Sequence, residues 1–142
     1  AWIKKIFEKD IKYTGIDVVE DLINQNKLTF NSNSNIQFYC EDLTEYNDFD
    51  NYDFILMRDF FIHLPLPLIK KILKNLKNSN CKYFAFNNYE SVNLNKEIST
   101  GQHRKINLLK DPFNLDLPYY KIQEVNNEHK PDQDNFIYIY KN

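Results

Sequence analysis

The chain has 142 residues, 42% of them hydrophobic and 15% aromatic, which is enough apolar material for one folded α/β domain spanning residues 1–142 and excludes an intrinsically disordered chain. With 18 basic and 20 acidic residues the formal net charge is -2, and the lysines are scattered, so no electrostatic footprint for nucleic acid is present. No apolar run approaches the length that spans a bilayer and no secretory leader opens the sequence as given, so neither a nucleic acid nor a membrane is expected as a partner.

In chain order, helix-like and strand-like segments alternate. Trp2, Ile3, Ile6 and Phe7 fall at helical spacing, which predicts a short amphipathic helix over residues 2–9. Tyr13 to Val18 reads as a strand with Gly15 inside it, where a missing side chain allows close approach, and with Asp17 near its end. Val19, Leu22, Ile23 and Leu28 predict a second helix, closed by the polar run from Asn31 to Asn35. Ile36, Phe38 and Cys40 alternate as a strand ending at Glu41-Asp42. Cys40 and Cys81, far apart and both in predicted strands, read as buried, reduced thiols of an intracellular, cytoplasmic protein.

The stretch Asn51 to Pro67 organises the rest. Phe54 to Arg58 run apolar almost without a break behind Tyr52-Asp53, which predicts a strand over Tyr52 to Met57 buried on both faces of a parallel sheet. Arg58, Asp59 and His63 then fall at or just beyond its carboxyl end, the edge where open α/β sheets bind ligands. Leu68, Ile69, Ile72, Leu73 and Leu76 mark a helix with Pro67 in its first turn, and Cys81 to Asn87 reads as another buried strand. Residues 88–118 hold few periodic apolar positions and read as a long functional loop. Tyr119 to Val125 and Phe136 to Tyr140 predict an antiparallel pair at one edge.

The succession YTGIDVV, NIQFYCEDL, YDFILMRDFFIHL and CKYFAFNN, followed by two strand-like segments, resembles strands two to five and the terminal hairpin of a class I S-adenosylmethionine-dependent methyltransferase. The segment NLNKEISTGQHRKINLLKDPF is further similar to the small-molecule enzymes of that class. The resemblance implies a Rossmann-like methyltransferase fold, a mostly parallel sheet of order 3-2-1-4-5-7-6 with a C-terminal antiparallel hairpin. It implies S-adenosylmethionine as cofactor and a small-molecule methyl acceptor. The family's first strand and glycine-rich loop have no counterpart, since Gly15 and Gly101 are the two glycines present, so an N-terminally truncated fragment is expected. An NAD-type Rossmann enzyme fits the hairpin less well, and a non-catalytic module of the same fold is the alternative function.

The resemblance places Asp17, with Val18 beside it, where a carboxylate accepts hydrogen bonds from ribose hydroxyls. A helix N-cap is the competing reading. Asp42, with the Leu43 backbone, corresponds to the acidic residue that takes the adenine amino group, or else is a solvated loop carboxylate or a helix N-cap. Arg58 lies beside the cofactor's methionine portion or pairs with a surface carboxylate. Asp59 orients a substrate donor or holds its loop by an ion pair. His63 is the candidate general base toward a hydroxyl acceptor, because an imidazole titrates near neutrality, or else a packing residue. Arg104 and Asn107 either grip the acceptor or staple the long loop to the sheet. His103 and His129 lack metal-ligand spacing and are expected to face solvent, so no metal is expected.

Overall fold

A computed structural model describes residues 10–125 and 131–142, and of residues 131–133 the backbone alone. The helix expected over residues 2–9 and the exposure expected of His129 lie outside the described residues. The chain forms two compact units, Ala1–Asn47 and Asp48–Asn142.

In the first unit β1 (Tyr13–Asp17), α1 (Glu20–Thr29) and β2 (Ile36–Cys40) make a β-α-β turn of chain, with β1 and β2 parallel and Asp17 opposite Cys40. Its core is small: Ile23, Ile36 and Phe38 are buried, with Tyr13 and Phe30 packed against them. Of the apolar positions that predicted α1, Ile23 is buried, whereas Val19, Leu22 and Leu28 are exposed. Gly15 lies opposite Phe38, and a Cβ at Gly15 would stand 2.7 Å from that ring, so the close approach that glycine permits is an internal one. Cys40, expected buried, is exposed: it shares a face with Ile36 and Phe38 but ends β2, outside the small core that those two form with Ile23. Cys81 is buried.

The second unit carries β3 (Phe54–Met57), a 3-10 turn (Phe61–His63), α2 (Leu66–Lys77), β4 (Tyr83–Tyr89), β5 (Tyr120–Val125) and β6 (Pro131–Lys141). Its four-stranded sheet has the order β3-β4-β6-β5, with β3 parallel to β4 and β6 antiparallel to both its neighbours. β5 is therefore the edge, and β6 is an inner strand inserted between β4 and β5. The two sheets follow the runs 3-2 and 4-5-7-6 of the order that the resemblance implies.

Strand pairing aligns two faces. Ile55, Met57, Phe84, Phe86, Tyr138 and Tyr140 share one, and Leu73 of α2 lines a concavity together with Phe84 and Tyr140, which puts the helix on that face. There α2 buries Ile69, Ile72, Leu73 and Leu76, the i, i+3, i+4, i+7 stripe of its sequence. The other face carries Phe54, Leu56, Ala85, Ile139, Tyr120 and Ile122. Phe54 is 49% and Leu56 37% exposed, so β3 is not buried on both faces as its apolar run predicts. The reason is positional: among the described residues β3 has one strand neighbour and one helix-covered face. Beyond β4, residues 90–119 form the long loop expected, held by turns and side-chain hydrogen bonds.

No helix among the described residues is long and apolar enough to cross a membrane.

Candidate functional site

Within each unit some of the expected residues lie at or just after the carboxyl end of a parallel strand: Asp17 and Asp42 in the first, Arg58 and Asp59 in the second. In the first unit Asp17 closes β1 and Asp42 follows β2, on neighbouring strand ends. Asp17 Oδ1 accepts the Val19 N–H at 2.9 Å, which tightens the turn into α1. Its second oxygen has no partner among the described residues. Val18 is exposed, and its carbonyl accepts a weak bond from Cys40 Sγ at 3.6 Å. Asp42 Oδ1 accepts from both the backbone N–H and the hydroxyl of Thr44, at 2.8 Å each, so Asp42 starts a turn in which Leu43 is half-buried.

In the second unit Arg58 and Asp59 leave β3. Arg58 Nε and Nη2 donate to the two carboxylate oxygens of Glu124, at 3.1 and 3.3 Å. This fork holds the guanidinium more firmly protonated, chiefly through the Glu124 hydrogen bond. Half-exposed as it is, the pair is worth about 1 kcal/mol or less. Of the two readings of Arg58, the structure displays the ion pair. Asp59 has φ 54°, a left-handed backbone that Asp tolerates better than most residues. Its N–H donates to Asn87 Oδ1 at 2.6 Å, and Asn87, buried, donates in turn to Asn135 Oδ1 at 3.0 Å. The Asp59 carboxylate stays 44% exposed, 3.8 Å from Arg58 Nη1.

His63 ends the 3-10 turn with an exposed ring, so it is not a packing residue of the core. Its Nδ1 lies 3.1 Å from the Gln102 carbonyl oxygen. A carbonyl only accepts, so Nδ1 carries the proton and Nε2 presents a lone pair outward in the neutral ring.

Arg104 is 8% exposed, and its Nε, Nη1 and Nη2 donate to the carbonyls of Lys96, Phe61 and Leu64. Burial lowers its proton affinity from a very high starting value. Asn107 is equally buried: its backbone N–H bonds Asn95 Oδ1, and its side chain bonds Asn88 Nδ2 and the Val92 carbonyl. The expectation that these two grip an acceptor meets a stapling arrangement, in which their polar atoms serve the loop because a buried donor needs a partner. Nearby, Tyr138 donates to Glu90, which also receives Lys121. Lys121 and then Tyr138 hold the Glu90 carboxyl below its usual range, while burial first and Glu90 second push the Tyr138 phenol up.

Sequence reasoning missed Asn87, Glu124 and Gln102, the residues that hold Asp59, Arg58 and His63. The polar pair Asn87-Asn88 at the end of an otherwise apolar strand was the available signal. Two concavities, about 440 Å³ beside Phe30 and Ile36 and about 430 Å³ beside Leu73 and Tyr140, include none of the expected residues. The first runs along β2 from Ile36 to Tyr39, and the second lies beside Phe84 near the amino end of β4.

The sequence matches no protein-family model and no curated protein. In three dimensions the chain is similar to TehB from Haemophilus influenzae, at TM-score 0.53 and 20% identity over 90% of this chain. It spans about half of that protein, 49%. It is also similar to a SAM-dependent methyltransferase from Methanosarcina mazei, at TM-score 0.55 and 15% identity over 89% of this chain and 79% of the other. The N-methyltransferase NodS from Bradyrhizobium japonicum superposes at TM-score 0.57 and 12% identity, over 91% of this chain and 72% of its own. Strand order and these likenesses together give the chain the Rossmann-like methyltransferase fold, with a mixed sheet of parallel and antiparallel strands.

Proposed function

We propose that the chain is part of an S-adenosylmethionine-dependent methyltransferase acting on a small-molecule acceptor. The observation that carries this reading is the insertion of antiparallel β6 between β4 and β5, in a sheet whose β3 and β4 are parallel. A nicotinamide-type doubly wound sheet has no such inserted strand. The reading includes one more strand and a glycine-rich loop from elsewhere in the polypeptide. The single strand neighbours of β1 and β3 and the exposure of Phe54 and Leu56 support it.

Asp17 suits the adenosyl group, since one carboxylate oxygen remains for ribose hydroxyls after Val19 has taken the other. Asp42, with Leu43, takes the adenine edge in this reading, and Val18 lies beside Asp17 on the ribose side. Bound S-adenosylmethionine supplies an activated methyl group and its own leaving group. The chain's work is alignment and proton removal. His63 accepts the acceptor's hydroxyl proton at Nε2, and the resulting imidazolium keeps its Nδ1–H bond to Gln102. Asp59, set by Asn87, orients the acceptor, while Arg104 and Asn107 shape the loop beside it and meet the acceptor through that loop.

Calorimetric titration with S-adenosylmethionine tests the reading. In the whole protein, with the glycine-rich loop present, Asp17→Ala is expected to lose about 1.5 to 3 kcal/mol of binding and Asp17→Asn less. Equal binding by a folded Asp17→Ala protein would reduce Asp17 to a turn residue. His63→Gln is expected to lower turnover by roughly two to four orders of magnitude with cofactor affinity unchanged. The alternative is a non-catalytic module of the same fold; binding without any turnover in the whole protein is its signature.

A further inference from the structure

Two segments far apart in sequence are locked together around His63. The Gly101 N–H donates to the His63 carbonyl at 3.1 Å, and the Arg104 N–H to the Ile62 carbonyl at 3.0 Å. Arg104 Nη1 and Nη2 reach Phe61 and Leu64, both at 2.7 Å, and His63 Nδ1 reaches Gln102. Residues 61–64 and 101–104 thus behave as one rigid piece. On it the imidazoles of His63 and His103 stand with centroids 5.5 Å apart and ring planes inclined at 58°. Both rings are exposed, and the His103 nitrogens have no hydrogen-bond partner among the described residues.

We propose that His63 and His103 form a binding site for a divalent transition-metal ion of the zinc type. Imidazole nitrogen is the ligand such ions favour. With metal–nitrogen bonds of about 2 Å, two imidazoles on one tetrahedral ion have centroids roughly 5 Å apart, so small rotations of the rings bring them into range. The Nδ1–H bond to a backbone carbonyl is the outer contact that orients a ligating histidine and leaves Nε2 for the ion. No group of three or more His, Cys, Asp or Glu side chains converges on one point among the described residues. The site is therefore an open one, with the remaining positions left to water or to a small ligand. Because Nε2 of His63 is also the atom of the proposed proton transfer, a bound ion blocks turnover; this consequence alone rests on the methyltransferase reading.

Calorimetric titration of the full chain with Zn²⁺ is expected to show saturable binding of one ion. His103→Gln, a change at an exposed ring that leaves the melting temperature unaltered, is expected to weaken it about tenfold or more. In proton NMR the imidazole signals of His63 and His103 shift with added Zn²⁺. Absence of saturable binding, or binding unchanged in a folded His103→Gln protein, overturns the proposal. Zn²⁺ binding that shifts both rings yet leaves methyl transfer unaffected upholds the metal site and removes His63 from the methyltransferase mechanism.

Discussion

Arg104 does more for the second unit than any other charged residue described. Its three nitrogens donate to the carbonyls of Phe61, Leu64 and Lys96, the first of which also accepts the Leu64 N–H. Arg104→Ala is expected to destabilise the protein by about 2 to 4 kcal/mol in urea unfolding, since a buried network loses its shared donor. Arg104→Lys restores only part, because one ammonium cannot present a planar fork to three carbonyls. Gly15 is a different kind of residue-level constraint. Its backbone conformation is open to any residue, and what fixes it is the Phe38 ring seated where a Cβ would be.

Among the elements, α2 shows how the loop completes a helix. Its N-cap, Pro65, offers no side-chain acceptor, and the exposed Leu66 N–H is taken instead by Glu97 Oε1 at 2.9 Å, from the long loop. Glu97 also receives the Ile98 N–H, and these backbone bonds, Leu66 first, lower its carboxyl from the ordinary value. A depressed carboxylate contributes stability that is present above its unfolded-state pKa and lost as pH falls through the folded one. Glu97→Gln is therefore expected to lower the melting temperature at neutral pH and to flatten its dependence on pH below the ordinary carboxylate range. Melting curves of both proteins across that range check it. The boundaries of α2 and of most strands were legible because apolar period and Pro67 punctuate them locally, but β6 starts at Pro131, five residues before the expected Phe136, because its polar first half pairs without an apolar pattern to mark it. What sequence could not show were partners set by tertiary contact: Glu97 on Leu66, Asn87 on Asp59, Glu124 on Arg58, and His103 beside His63, forty positions away. The exposure of Phe54 and Leu56 was hidden for the same reason, since an apolar run reports what a strand can bury and not which neighbours cover it.

At the scale of the molecule, the sheet order ranks the strands by protection. β4 and β6 are hydrogen-bonded on both sides, whereas β1, β2, β3 and β5 each have one strand partner among the described residues. Amides of β4 and β6 are expected to exchange slowest, and those of the first unit fastest, because its small core rests on Ile23, Ile36 and Phe38. Hydrogen exchange read by mass spectrometry tests this, and equal protection of β1 and β6 would contradict it.

The inserted position of β6 also sets a timetable. During synthesis β3, α2, β4 and β5 leave the ribosome before the strand that joins β4 to β5 exists, so the sheet cannot close until residue 141 has been added. For that interval Phe84, Phe86 and the β4 edge wait for Tyr138 and Tyr140, which pair with them across about 50 positions of chain. A nascent chain in this state exposes an unsatisfied apolar strand, the kind of surface on which chaperones act.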